Sequence, residues 1–335
     1  MEISSLRQDF GERLLDFVWG QWAQMGLLAS TPRRDAWAAD PEALLLLTFE
    51  VAREDPRLFD EVLDWLLVNE RWISLQRLRN LAVDDEDRAL AGAAADWLSS
   101  WRRKSPPPPQ PEAAPEADAR PLFFNAMPVE QPDPAFFAHG FLKSWTEPAR
   151  RSSSPDLLAP INFAFRLRSL LGVGARAEVV RTLLTVEAPE MSLQAIALSS
   201  GFAKRNVQEA ANALRAGGFA SSRMIGNEQQ FKMPREPWLA LLELKRLPLH
   251  EDWPQLFRAF RLLLRWLRDP RNEELSDYMR ASEARVVLER VFDDLNFAGV
   301  PVSTAGPSGE EYWSHFTSVV GGLPLGLRPS APPQG

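Results

Sequence analysis

Cysteine is missing from the 335 residues, so the chain can form no disulfide, thiol nucleophile or thiolate metal site. Histidine occurs three times, at His139, His250 and His315, too scattered to suggest an imidazole metal site. Lysine is scarce, five residues against 33 arginines. Long apolar runs are also missing: the longest, Ala43 to Leu47, falls far short of the roughly 18 residues that a membrane-spanning helix needs. The first 24 residues interleave Glu2, Arg7, Asp9, Glu12, Arg13 and Asp16 with apolar positions, which the uninterrupted core of a secretory signal does not tolerate. A cytoplasmic chain with no membrane association is expected. Nor is there a glycine-rich phosphate loop, a Gly-x-Ser-x-Gly elbow or a His-Glu-x-x-His pair. No catalytic residue, metal ligand or cofactor is assigned, and the chain is not read as an enzyme.

What is present is an ordinary globular composition, 45% hydrophobic and 25% charged, with length for about two domains at roughly 150 residues each. The net charge of −7 is uneven. Residues 1–103 hold 12 arginines, no lysine and 19 acidic residues, whereas the rest of the chain holds 26 of each sign. An acidic segment repels polyanions, so a nucleic-acid role is expected further along.

Lys104 to Ala119, with Pro106 to Pro109 in a row, reads as a semi-rigid extended linker, because proline fixes its own φ and lacks an amide donor. It separates an acidic, all-helical domain (1–103) from an irregular docking arm (120–160) with a short helix near Phe136 to Trp145. A helical domain with a small hairpin (161–235), a C-terminal helical extension (236–323) and a tail (324–335) follow. In the first domain Leu6, Phe10, Leu14, Phe17 and Trp22 recur on one helical stripe. Asp40-Pro41 and Asp55-Pro56 pair an N-cap with a first-position proline, predicting helices over 42–53 and 57–69. Asp84 to Asp87 opens another, reaching about Trp101, with carboxylates at the positive end of its dipole. Seven of the twelve tryptophans precede the linker and read as helix-packing residues, with a partner surface as the alternative.

The informative stretch runs from Ala175 to Met233. A helix is expected over 176–185. Ser192 then caps a short helix over 193–198, Ser199 to Phe202 make a tight turn containing Gly201, and a second helix spans 203–216. Its apolar positions Val207, Ala210, Ala211 and Leu214 fall at i, i+3, i+4 and i+7, a single buried stripe. Gly217-Gly218 stops it, and 219–225 and 229–233 read as two strands around Gly226-Asn227-Glu228.

This order and spacing, carried by Leu193 to Ala197, Gly201-Phe202, Lys204 to Val207, Leu214 and Gly217 to Phe219, resembles the winged helix-turn-helix domain of MarR-type and ArsR-type bacterial transcription regulators, over about 60 residues. The resemblance implies that the helix after the turn enters the major groove of duplex DNA. Opposite Val207 and Leu214 it presents Arg205, Gln208, Glu209 and Asn212 as base-reading candidates. Lys204 and Arg215 at its flanks, with Arg223 and Lys232 on the wing, are phosphate candidates. Arg205 and Glu209 at i, i+4 also suit an ordinary surface ion pair. Beyond the wing, Arg258, Arg261, Arg265 and Arg268 form one stripe on an otherwise apolar helix, which suits an accessory phosphate surface, a dock for the acidic domain, or simply a solvated face. A last helix, 282–295, is apolar enough for core or for a dimer contact.

The fold class expected is mainly α: a helical N-terminal domain, a proline-rich linker, a winged helix-turn-helix of three helices and a two-stranded wing, and flanking C-terminal helices. The function expected is sequence-specific binding of double-stranded DNA by a transcriptional regulator, most simply a homodimer, with the N-terminal domain for sensing, partner binding or dimerisation. The alternative is a non-enzymatic accessory or scaffold protein whose winged helix, or whose acidic, Trp-rich N-terminal domain, holds a protein partner.

Overall fold

Two aspartate–proline pairs set the first helix starts. In the computed structural model, which describes residues 2–27, 36–103, 119–124 and 128–325, the Asp40 carboxylate accepts the Ala43 amide at 3.1 Å, and Asp55 accepts those of Arg57 and Leu58. After α1 (Ile3–Gln24), these caps open α2 (Pro41–Val51) and α3 (Pro56–Asn69). Ser74 opens α4 (Leu75–Leu81), absent from the sequence expectation, and Asp84 caps α5 (Asp85–Arg103) through the Asp87 amide at 2.8 Å. The proline-rich linker, but for Ala119, and the tail from 326 onward lie outside the described residues.

The chain is mainly helical with a small sheet. Its contacts group Trp19–His250 into one compact unit, and Met1–Val18 with Glu251–Gly335 into another. In the larger unit Trp22 and Trp65 pack edge to face with centroids 4.9 Å apart, and their indole N–H groups donate to Thr48 Oγ1 and the Met25 carbonyl, both at 2.8 Å. Trp37 donates to Gln21 Oε1 at 3.0 Å. Trp22, Trp37, Trp65, Trp97 and Trp101 are buried, each with a large apolar area removed from water.

The arm holds β1 (Arg120–Pro121), α6 (Pro134–Phe137) and β2 (Phe141–Leu142), the two strands pairing in parallel. The helix expected near Phe136 to Trp145 is a single turn that gives way to β2. Phe123 and Phe136 both meet Phe59 of α3 edge to face, with centroids 5.5 and 5.6 Å apart.

Next come α7 (Phe163–Leu171), α8 (Ala175–Thr185), β3 (Met191–Ser192), α9 (Leu193–Ser200), α10 (Lys204–Ala216), β4 (Ser221–Ile225), β5 (Glu228–Lys232) and α11 (Glu236–Leu241). The hairpin gains a third strand: the sheet order is β3-β5-β4, antiparallel throughout, with Met191 opposite Phe231 and Arg223 opposite Gln230. Met191 and the cap residue Ser192 are extended and pair along the edge of β5. Leu184, Ile196, Val207, Ala211, Leu214 and Phe231 fill the core beneath it, each large apolar side chain contributing roughly 1.5–3 kcal/mol by burial.

In the smaller unit are α12 (Trp253–Arg268), α13 (Arg271–Glu274), α14 (Asp277–Phe297) and α15 (Tyr312–Gly321). Phe10 meets Phe260 edge to face at 5.8 Å, and Phe17 packs on Trp253 and Phe257, which accounts for the apolar stripe at the start of α1. No helix among the described residues is long and apolar enough to cross a membrane.

Candidate nucleic-acid interface

The Ser192 hydroxyl accepts the Ala195 amide at 3.2 Å and opens α9. Gly201 ends α9 at φ +68, a left-handed conformation that glycine adopts without a steric penalty. Ala203, the N-cap of α10, supplies no side-chain hydrogen bond. Lys204 and Arg205 therefore occupy a first turn with no side-chain cap. Basic charge there opposes the helix dipole by about 0.3–1 kcal/mol, and an anion at the same end would be favoured.

On α10, Val207, Ala210, Ala211 and Leu214 are buried. Lys204, Arg205, Gln208, Glu209 and Arg215 are exposed and Asn212 is half-buried, so all six candidates lie off the buried stripe. Arg205 Nε donates to Glu209 Oε1 at 3.1 Å with both side chains largely in solvent, a pair that contributes little in water. On the hairpin, Arg223 Nε donates to Glu190 Oε2 at 2.6 Å, so this arginine is already engaged. Lys204, Arg215 and Lys232 are exposed and no ion pair to a described residue involves them. Residues 203–232 hold five basic and two acidic side chains. Beside Lys232 a groove of about 600 Å³ is floored by Leu183, Met191, Phe231 and Met233, with Glu187 and Arg235 at its rim.

The arginine stripe behaves differently from a solvated face. Arg261 is buried, Arg258, Arg265 and Arg268 are half-buried, and Arg258 is bidentate to Asp294 of α14. Of the four arginines, Arg258 is thereby tied to α14 within the smaller unit. Of the three histidines, His139 meets Asp96, His250 meets Thr185 Oγ1 and His315 meets the Ser303 carbonyl. No three potential metal ligands gather among the described residues.

Sequence reasoning missed the most concentrated charge in the larger unit. Asp40, Arg77, Glu42, Arg168, Glu178 and Arg181 form a closed, alternating ring of six charges, all buried. Arg77 joins Asp40 to Glu42, with the Glu42 contact at 2.8 Å. Arg168 joins Glu42, through two bonds at 2.7 and 2.8 Å, to Glu178 at 2.7 Å. Arg181 joins Glu178 at 2.8 Å back to Asp40 at 3.2 Å. Backbone groups serve the remaining valences: the Ser74 amide donates to Glu42, and Arg168 donates to the Trp72 carbonyl.

Burial alone would push the Asp40 and Glu178 carboxyls up. The guanidinium groups outweigh it, Arg77 for Asp40 and Arg168 with Arg181 for Glu178, and hold both below the usual carboxylate range. Burial likewise disfavours charge on Arg77, but Asp40 and Glu178 outweigh it and the guanidinium is held charged. The ring ties the start of α2 and α4 to α7 and α8. One signal in the sequence was legible: Glu178 and Arg181 sit at i, i+3 in a helix whose neighbours are nearly all apolar.

No family model matches this chain, and no curated protein or solved structure matches it.

Proposed function

We propose that the chain is a winged-helix protein that binds double-stranded DNA in a sequence-specific way and regulates transcription. The observation that carries the reading is α10. It follows a tight glycine turn, buries one apolar stripe, and presents Arg205, Gln208 and Asn212 to solvent between Lys204 and Arg215. Arginine matches the O6 and N7 acceptors of guanine, and glutamine or asparagine matches N6 and N7 of adenine. The order α8, β3, α9, α10, β4, β5 with the β3-β5-β4 sheet supports naming the element a winged helix. Lys232, exposed on β5, would meet backbone phosphate in such a complex. A two-fold dimer would read paired half-sites.

Selection of duplexes from a genomic fragment library by the full chain, followed by anisotropy titration at two salt concentrations, tests the reading. One enriched sequence, bound less well by the Arg205→Ala, Gln208→Ala double variant, supports it. No binding at low salt removes it.

A second reading is favoured by the apolar surface of the same hairpin: Met224 and Ile225 are 63% and 50% exposed, and Phe219 is exposed before β4. Such a patch suits a protein partner, with the winged helix serving as a scaffold. A stoichiometric protein that co-purifies without DNA, and is lost on Met224→Ser with Ile225→Ser, would decide for it.

A further inference from the structure

The turn that aims α10 is seated on a helix more than a hundred residues earlier in the chain. The Ser200 carbonyl, at the C-terminal end of α9, accepts Arg77 Nε at 2.6 Å. A methyl group added at Gly201 would stand 2.8 Å from Leu81 Cδ2 and 3.2 Å from Arg77 Nε. The Gly201 carbonyl accepts Asn80 Nδ2 at 3.4 Å. Arg77, Asn80 and Leu81, at i, i+3 and i+4 on α4, thus meet two consecutive residues of the turn. The guanidinium is fully buried, and its two terminal nitrogens donate to Asp40 and Glu42.

The geometry points to Arg77 as a positioning residue for the reading helix: it fixes the α9–α10 turn on α4, so that α2 and α4 are part of the DNA-reading body rather than a separate sensing module. This rests on the reading of α10 as a DNA-binding helix. Only a planar fork can place one N–H on the Ser200 carbonyl and others on two carboxylates at once. A lysine keeps the charge but offers a single ammonium, which can serve the carboxylates or the carbonyl. The cation also stands where the partial negative end of α9 favours it. The acidic composition of residues 1–103 argues against these helices touching phosphate themselves, and the seat gives them a part in DNA binding without contact.

The test compares Arg77→Lys with Arg181→Lys in the full chain. Both disturb the same ring, but Arg181 contacts Glu178 and Asp40 and leaves the turn untouched. Amide hydrogen exchange over residues 200–206 and affinity for the selected duplex are measured at temperatures equally far below each variant's Tm. Arg77→Lys is expected to raise exchange there about tenfold and weaken DNA binding about tenfold, with the salt slope unchanged. Arg181→Lys should leave both within about twofold. Equal exchange in the two variants would overturn the proposal. Turn exchange raised only by Arg77→Lys, in a chain whose native form binds no duplex, would overturn the DNA reading while upholding the seat. Should Arg77→Lys fail to fold, Leu81→Ala leaves the ring whole and is expected to raise exchange at the same amides about threefold. No rise there would also overturn the seat.

Discussion

Arg77 holds the Ser200 carbonyl at 2.6 Å with Nε and the Glu42 carboxylate at 2.8 Å with Nη1, so one side chain of α4 joins the start of α2 to the end of α9. A charge buried this deeply tolerates partial removal poorly. Arg77→Met leaves Asp40 with Arg181 and Glu42 with Arg168, and an excess negative charge in the interior; a loss of about 3–5 kcal/mol is expected. Glu42→Gln in the same chain restores neutrality. The double variant should therefore be more stable than the sum of the two single losses predicts, by about 1–3 kcal/mol. Urea unfolding of the four chains measures this, and strict additivity would show that the ring is not one electrostatic unit.

The ring also sets a dependence on acid. Asp40 and Glu178 are held below their ordinary range in the folded chain, so the unfolded chain takes up protons first as pH falls. Their contribution is complete above the unfolded values and is lost progressively below about pH 4.5. The urea midpoint of the larger unit's transition is expected to be level between pH 6 and 7.5 and to drop steeply between pH 4.5 and 3. Glu178→Gln should flatten that drop while lowering the midpoint at neutral pH. A midpoint indifferent to pH down to 3 would contradict the assignment.

Legibility in the sequence followed how local each interaction is. The caps at Asp40, Asp55, Asp84 and Ser192 act within three residues, and the helices they predict begin within two residues of the expected positions. The buried stripe of α10 needs only a 3.6-residue period, and it too is where the pattern placed it. The ring is different, because it spends six charged residues from four separate segments where composition would put them on the surface. The cap role of Asp40 is local and legible, whereas the contacts of the same carboxylate with Arg77 and Arg181 are not. On α12 the same holds for Arg258, whose partner Asp294 stands on α14, 36 residues along the chain.

Gly201 and Gly218 separate two reasons for a glycine. Both have positive φ, +68 and +78, so an alanine at either pays the left-handed penalty of roughly 1 kcal/mol. Around Gly218 a methyl would meet nothing within 4 Å, whereas at Gly201 it would press on Leu81 and Arg77. Gly218→Ala is expected to lower stability by about 1 kcal/mol, and Gly201→Ala by roughly 2–3 kcal/mol because overpacking is added to strain. Thermal unfolding of both variants gives the comparison. Equal losses would mean that α4 yields freely at the turn.

If α10 and the hairpin bind DNA as proposed, the exposed basic residues should divide by the kind of contact they make. Lys204, Arg215 and Lys232 have no ion pair to a described residue and stand at the flanks of the reading face, where phosphates rather than base edges lie within reach. Replacing any one by alanine should weaken binding to all duplexes alike and reduce the slope of log affinity against log salt by about one. Arg223 is held by Glu190 at 2.6 Å, so Glu190→Gln is expected to free it and to strengthen binding at low salt. Arg205→Ala should act selectively, reducing affinity for the preferred site by roughly tenfold or more while leaving non-specific binding and the salt slope little changed, because a bidentate base contact contributes about 1–3 kcal/mol of discrimination. Anisotropy titrations against the selected duplex and a scrambled one, at several salt concentrations, separate the two classes. Loss of salt slope in Arg205→Ala without loss of selectivity would move that residue from the base edges to the backbone.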